Sequence, residues 1–255
     1  ERWEGRDVEN VVVIKCGGST MQELSDTFFE NVVEMQRAGK HPIIVHGGGP
    51  AINDMLEKLA ITSVFIDGLR KTTAEVLEAA KMVLCGKVNK EVVTKIYKAG
   101  GRAIGLSGCD GALISVKPID EEKLGFVGEP VAVNRELLAT FLEMEMIPVI
   151  APIGIDEKGT HYNINADSAA GAIARAMNAS ELIFVTDVDG IMKEGKCLEE
   201  VTRAEVERYI ADGTIYGGMI PKVKAALATL NETLQAVRIV NGKADKAMKG
   251  TTILR

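Results

Sequence analysis

Val11-Val12-Val13-Ile14-Lys15-Cys16-Gly17-Gly18-Ser19 passes from four β-branched residues into a lysine and then a glycine pair. A short unbroken apolar run of this kind reads as a buried strand. The two glycines let the main chain approach a ligand closely just where that strand ends. Lys15 therefore stands among open backbone amides, an arrangement suited to phosphate or carboxylate chemistry. A lysine that only snorkels from a strand end beside a turn has the same local sequence, so the remaining strand ends must decide.

Apolar runs recur at residues 42–45, 103–106, 147–151, 182–186 and 236–240, with helical patterns between them. Leu24, Phe28, Val32 and Met35 follow the first strand at helical spacing, and Ile52, Met55, Leu56 and Leu59 follow the second. This alternation predicts an α/β fold with a mostly parallel central sheet covered by helices on both faces. Thr72 with Glu75, and Thr202 with Glu205, have capping-box spacing and predict two further helix starts. Residues 113–133, rich in glycine and β-branched side chains, and the turn at residues 156–159 predict antiparallel flaps. No repeat, low-complexity tract or Pro/Ser-rich linker interrupts the chain. A division into lobes, residues 1–177 and 178–255, is therefore expected inside continuous structure near Asn178.

Composition narrows the function. With 255 residues and 46% hydrophobic content the chain can bury a sizeable core. A net charge of -6 and only 4% aromatic residues argue against a nucleic-acid surface. Cys16, Cys85, Cys109 and Cys197 have neither metal-ligand spacing nor the pattern of a secreted framework, and read as free thiols in a reducing, cytoplasmic compartment. Cys16 or Cys109 as a nucleophile lacks a histidine nearby in sequence. No apolar stretch approaches the roughly 18 residues of a membrane span, and the charged beginning of the sequence does not read as a signal peptide.

Open sheets of this kind bind ligands beyond the carboxyl ends of their strands, and four strand ends here are chemically unusual. His46-Gly47-Gly48-Gly49-Pro50 follows the second strand, and Pro50 suits the first turn of a helix. The glycines are either a tight crossing or an anion hole at a helix N-terminus; His46 reads as a satisfied strand-end histidine. Ser107-Gly108-Cys109-Asp110-Gly111 follows the third strand and Asp187-Val188-Asp189-Gly190 the fifth. Before a helix, Asp67-Gly68-Leu69-Arg70-Lys71 carries two cations, either solvated or able to grip a carboxylate through the arginine fork. Asn163 and Asn165 share one face of an extended segment and offer amide contacts, while Asp167 can cap the alanine-rich helix that follows or hold lysines. Tyr216-Gly217-Gly218-Met219-Ile220-Pro221-Lys222 repeats the opening theme, a glycine pair before a helix start that carries a lysine. The dinucleotide fingerprint and the Walker motif are both absent. Two lysines from opposite halves, each with glycine loops, are what in-line phosphoryl transfer needs. A carboxylate acceptor, with an intrinsic pKa of about 4.3, requires no general base.

Taken together, Lys15-Cys16-Gly17-Gly18-Ser19, His46-Gly47-Gly48-Gly49-Pro50, Gly68-Leu69-Arg70, Asn163-Ile164-Asn165-Ala166-Asp167, Thr186-Asp187-Val188-Asp189-Gly190 and Gly217-Gly218-Met219-Ile220-Pro221-Lys222 resemble the amino-acid kinase family over nearly the full chain. The Gly-Leu-Arg loop combined with Asn-Ile-Asn-Ala-Asp resembles the members that act on N-acetyl-L-glutamate. The resemblance implies a three-layer αβα sandwich in which residues 1–177 bind N-acetyl-L-glutamate and dimerise while residues 178–255 bind ATP. It implies that Lys15 and Lys222 stabilise the transferring phosphoryl group and that Asp167 orients both. Gly48, Gly49, Arg70 and Asn163 would hold the substrate. Asp187, Val188, Asp189, Gly190, Ile191 and Met192, with Thr214, Ile215 and Tyr216, would line the ATP site, where Mg2+ is held by phosphates and water rather than by a protein metal site. Arginine-inhibited members carry an N-terminal helix for which residues 1–14 look too short and polar, which implies a homodimer without arginine feedback. Two rivals share most motifs: a kinase for a carrier-linked aminoadipate or glutamate, for which Lys71 is a single extra cation, and a non-catalytic sensor of nucleotide or amino acid. An aspartate or carbamate kinase relative fits less well, because the chain carries the Arg70 and Asn163 loops and no appended regulatory domain.

Overall fold

The computed structural model describes residues 8–18, 20–243 and 248–255. Residues 1–7, which belong to the stretch expected to lack a linking helix, and Ser19 of the first motif lie outside the described residues. Strand β1 (Val11–Cys16) is buried nearly throughout, as its β-branched run dictates. A 3-10 turn (Met21–Glu23) leads to α1 (Asp26–Arg37), capped by Ser25, so that Leu24 lies just outside the helix it was expected to join. Next come β2 (His41–His46), α2 (Gly49–Lys58) with Pro50 in its first turn, and a hairpin of β3 (Phe65–Ile66) and β4 (Leu69–Arg70).

Helix α3 (Ala74–Lys81), a π-helical segment (Met82–Val88) and α4 (Asn89–Lys98) run on as one long helix. Its cap corrects the sequence reading. Thr73, not Thr72, accepts from the Val76 amide, while Thr72 is buried and donates its hydroxyl to the Arg70 carbonyl at 2.9 Å. Two adjacent threonines carry the same local signal, and burial of the first leaves the cap to the second.

The chain continues through β5 (Ala103–Ser107), β6 (Ile114–Pro118), α5 (Glu121–Leu124), β7 (Val127–Val133), α6 (Arg135–Glu143), β8 (Ile147–Ala151), β9 (Ile153–Ile155) and β10 (His161–Ile164). After α7 (Ala166–Ala176) and β11 (Glu181–Thr186) come two short strands, β12 (Met192–Lys193) and β13 (Lys196–Cys197). The last elements are β14 (Glu200–Thr202), α8 (Arg203–Ala211), α9 (Met219–Thr229), β15 (Ala236–Asn241) and β16 (Gly250–Leu254). Helix α8 starts with the capping box read from Thr202 and Glu205.

Eight strands form the central sheet in the order β14-β16-β15-β11-β1-β2-β8-β5. Neighbours are parallel except β15 and β16. Pleating sends alternate residues of β1 to opposite faces. Val11 and Val13 pack in a cluster with side chains of α6, α7, α8 and α9, and Val12 and Ile14 pack against α1 and α4. Together these make the three-layer αβα sandwich. The sheet runs unbroken through β1 and β11, so residues before and after Asn178 share one hydrogen-bonded platform.

The expected flaps take a different form. The antiparallel pairs β6–β7 and β9–β10 exist, but β7 also pairs parallel with β10 and β6 with β9, closing a small four-stranded barrel. Closure removes exposed strand edges that two free hairpins would leave.

Candidate functional site

Register sets the site at the carboxyl end of the sheet. Lys15 lies opposite Val45 of β2 and Phe184 of β11, and Cys16 lies opposite His46. The glycine loops after β1 and β2 therefore leave the sheet at one level and pack directly on each other. A Cβ on Gly18 would lie 2.7 Å from the Gly49 nitrogen and 2.8 Å from the Gly48 nitrogen. Gly48 is also the N-cap of α2, where a Cβ would meet Leu84 at 2.5 Å. Gly48 and Gly49 thus offer amides at a helix N-terminus, the geometry that holds anionic oxygen. Gly18, read from the sequence as a glycine of close approach, shapes that loop together with the π-helical Leu84, which sequence reasoning did not place at the site. The crowding at Gly18 has no local signal beyond the glycine itself.

A cavity of about 200 Å³ opens over this loop, bounded by Lys15, Gly48, Gly49, Arg70, Asn163 and Phe65. Arg70 is buried, its guanidinium donating to the Ser63 hydroxyl and, at 3.3 Å, to the Gly49 carbonyl, with the Phe65 ring 4.6 Å away. Desolvation pulls its pKa below the usual arginine value, and among the described residues no carboxylate pairs with it. A buried guanidinium without a counter-ion attracts an anionic ligand. Asn163 donates to the Thr72 hydroxyl at 3.2 Å, and Thr72 in turn donates to the Arg70 carbonyl. Thr72, missed as a site residue because it was assigned to a cap, ties the two substrate candidates together.

Asn165, by contrast, is committed to the fold. Its Oδ1 accepts from the amides of Asp167 at 2.8 Å and Ser168 at 3.2 Å, which makes Asn165, not Asp167, the cap of α7. Asp167 is thereby released to hold Lys15, Oδ1 to Nζ at 2.8 Å. Its charge in the first turn also complements the helix dipole.

A second cavity of about 210 Å³ lies on the other side of Lys15, lined by Lys15, Gly17, Asp167, Thr186, Asp187 and Lys222. Lys222, in the first turn of α9, pairs with Asp187. That hydrogen bond keeps the Asp187 carboxyl below the usual aspartate range. Asp167 and Lys222, which the resemblance implies to act together, line the same cavity; in this structure Asp167 pairs with Lys15 and Lys222 pairs with Asp187. Beyond Asp187, Asp189 accepts from Asn241 at 2.8 Å and Gly190 adopts φ +140° against Thr251. The side chains of Ile191 and Ile215 lie in the core, while Met192 and Tyr216 are exposed. Val188 and Thr214 make local turn contacts, Val188 with Thr186 and Thr214 with Asp212. None of these last six side chains lines the cavity shared by the lysines.

The remaining candidates are structural. Asp110 accepts from the Ser107 amide and hydroxyl, at 2.6 and 2.9 Å, and closes its own loop. Burial pushes Cys16 up to about 12 and Cys109 up to about 11, so neither is a thiolate nucleophile at neutral pH. All four cysteines are free.

The model of the Amino acid kinase family matches residues 10–241. The chain is 58% identical over 233 residues to an acetylglutamate kinase of Halalkalibacterium halodurans, covering 91% of this chain and 90% of that protein. It is 53% identical over 245 residues to an acetylglutamate kinase of Shouchella clausii, covering 96% and 95%. Among solved structures, that of smu.665 from Streptococcus mutans UA159 superposes with a TM-score of 0.83 at 34% identity, over 96% of this chain and 98% of that one. With the sandwich, the glycine loops and the two lysine–carboxylate pairs in place, this match over most of its length means that the chain belongs to the amino acid kinase family.

Proposed function

We propose that the chain transfers the γ-phosphoryl group of ATP to the side-chain carboxylate of N-acetyl-L-glutamate, giving N-acetyl-L-glutamyl 5-phosphate, a step of arginine biosynthesis. The observation that carries this reading is the pair of cavities that meet at Lys15, one lined by an unpaired buried arginine and glycine amides, the other by a second lysine. It is supported by identities of 58% and 53% to acetylglutamate kinases.

In this reading Arg70 and Asn163 hold the substrate, and the Gly48 and Gly49 amides hold oxygen at the reacting end. A carboxylate oxygen forms a bond to the γ-phosphorus as the bond from phosphorus to the bridging oxygen breaks, and the electron pair leaves with ADP. The acceptor is already ionised at neutral pH, so no base is needed, and Lys15 and Lys222 neutralise charge on the phosphoryl oxygens. Among the described residues no three His, Cys, Asp or Glu side chains converge on one point. The two carboxylates present each face a lysine, so the fit is to a Mg2+ ion carried by phosphate oxygens and water. Such an ion would add to the neutralisation of the phosphates that Lys15 and Lys222 provide.

Residues 1–177 would bind the amino acid and 178–255 the nucleotide. The same reading includes a homodimer, as the family resemblance implies. A cytoplasmic site is supported by the free thiols and, among the described residues, by the lack of a helix long and apolar enough to cross a membrane.

Release of ADP is measured with free N-acetyl-L-glutamate, and the acyl phosphate is trapped with hydroxylamine. Turnover with both signals is expected. No turnover at millimolar substrate refutes the proposal; turnover confined to a carrier-linked aminoadipate or glutamate, or nucleotide binding without any, selects one of the rivals.

A further inference from the structure

His46 and Asn89 form a buried polar pair behind the glycine loop, in a position the reaction as derived above does not use. The Asn89 side-chain nitrogen lies 2.9 Å from the Val149 carbonyl oxygen and 3.2 Å from that of Leu106. Both partners are acceptors only, so the amide cannot be turned round without setting oxygen against oxygen. Its Oδ1 is held in the same sense by the Lys90 ammonium at 3.0 Å. Gly105 is where a Cβ would lie 2.0 Å from that Oδ1, so the neighbouring strand is glycine where Asn89 needs room.

The orientation of Asn89 determines the tautomer of His46. Asn89 Nδ2 carries two hydrogens among three acceptors, so the Leu106 oxygen and His46 Nε2, each at 3.2 Å, share one of them; a proton on Nε2 would face an amide nitrogen that cannot accept it, so Nε2 is the unprotonated nitrogen. The ring proton is then on Nδ1, which is 3.0 Å from the Gly47 carbonyl oxygen and donates to it. The Gly47 carbonyl belongs to the same planar trans peptide as the Gly48 N–H, and the two point in opposite directions. Fixing the carbonyl on the histidine side turns the Gly48 N–H away from the ring, towards the Gly18 loop and the cavity that both glycines line. Among the described residues no acceptor holds that N–H, and Gly48 lines the substrate cavity.

We propose that His46 is a positioning residue for phosphoryl transfer: locked as the Nδ1–H tautomer by Asn89, it aims the Gly48 amide at the oxygen that gains charge in the transition state. The inference rests on the proposed role of the glycine loop. It adds a chain of fixed hydrogen bonds from the π-helical junction of the long helix, through Asn89 and His46, to the reacting end of the substrate. Burial keeps the ring neutral, its pKa lowered to about 4, so the donor persists throughout the neutral range.

The test has two arms. In 15N-histidine-labelled wild-type protein, His46 is expected to show a protonated Nδ1 and a bare Nε2; the opposite tautomer overturns the proposal without any variant. In the second arm His46→Leu is compared with His46→Asn, whose amide nitrogen can stand where Nδ1 does. His46→Leu is expected to lower kcat roughly tenfold to a hundredfold, the scale of a sub-ångström misalignment, with both KM values nearly unchanged. His46→Asn is expected to recover most of that loss. Equal rates in the two variants, or a loss that falls on KM alone, overturns the proposal. Gly18→Ala, which perturbs the loop directly, separates the two readings: a slow Gly18→Ala beside a full-speed His46→Leu overturns only the role of His46, and full speed in both overturns the role of the loop.

Discussion

Replacing Gly18 by alanine tests whether the glycine loops act through their spacing. The added methyl would sit 2.7 Å from the Gly49 nitrogen and 2.8 Å from the Gly48 nitrogen. Both neighbours are backbone atoms, which cannot rotate away as a flexible side chain would. To bring the closer contact to 3.4 Å, the two loops must part by about 0.7 Å. Overpacking of this kind costs about 1–3 kcal/mol of stability, which a chain with this much buried core survives. The effect on catalysis should be larger in proportion, because the displaced atoms are the amides proposed to face the reacting oxygens. A shift approaching 1 Å costs on the order of 10- to 100-fold in rate, or about 1.4–2.7 kcal/mol in the barrier. Steady-state ADP release at saturating ATP and N-acetyl-L-glutamate measures the loss, and thermal melting measures the cost to the fold. If Gly18→Ala melts a few degrees lower yet keeps kcat within about twofold of wild type, the contact between the loops is a packing feature and its catalytic reading fails.

Lys222→Ala is expected to lower kcat by about 10²-fold or more, while melting hardly changes because an exposed ion pair contributes at most about 1 kcal/mol; wild-type turnover would remove Lys222 from the mechanism. Arg70→Lys keeps the charge but loses the planar fork that reaches Ser63 and the Gly49 carbonyl, so KM for N-acetyl-L-glutamate should rise about tenfold or more with a smaller change in kcat, read from initial rates against substrate. Asn165→Ala removes the α7 cap and is expected to cost about 1 kcal/mol in urea unfolding; no loss would mean that another group caps the helix. His46 adds an acid dependence: its folded pKa is about 4 against 6.5 unfolded, so the unfolded chain binds the proton first. Stability is full above about pH 6.5 and falls as pH drops towards 4, by about 3 kcal/mol in all. Urea unfolding at several pH values should show that slope diminished in His46→Leu, and an equal slope in both proteins would disprove the linkage.

Six of the eight strands of the sandwich were legible because each contains a run of β-branched or apolar residues, whereas the edge strand β14, buried only at Val201, and its neighbour β16 carry no such run. The rim was legible too, since glycine pairs and lysines at strand ends are unusual wherever they occur. Contacts that depend on two distant segments were not. The partner of Lys222 is Asp187, 35 positions away in sequence, and nothing local to either residue distinguishes Asp187 from Asp167. The barrel closes through parallel pairing of β7 with β10, a non-local contact that alternation within each strand does not encode. Thr72 and Asn165 were misassigned for a related reason. Capping residues are defined by where a helix begins, and adjacent Thr72 and Thr73, or Asn165 and Asp167, offer equivalent side chains until burial selects one. In both cases the residue released from the cap is a functional candidate or touches one.

The two lysines are not equivalent halves of a clamp. Lys15 extends from the middle of the sheet, between β2 and β11, with its ammonium 5.8 Å from the centre of the Phe184 ring and its side chain only 16% exposed. Its partner Asp167 is anchored in a helix whose first turn Asn165 secures. Lys222 and Asp187 lie further out, with side chains 29% and 54% exposed, and Asp187 follows the end of its strand. An exposed pair holds its members weakly, so phosphate oxygens can draw Lys222 away from Asp187 at little cost, whereas Lys15 keeps its direction. Lys15 also lines both cavities, while Lys222 lines only the second. In the proposed reaction the rigid lysine would therefore mark the point where acceptor and donor meet, and the looser one would adjust to the phosphate chain as the transferring group crosses. On that proposal, placing the fixed charge in the sheet and the adjustable one on a helix N-terminus would let the same site accept successive charge distributions without rebuilding its centre.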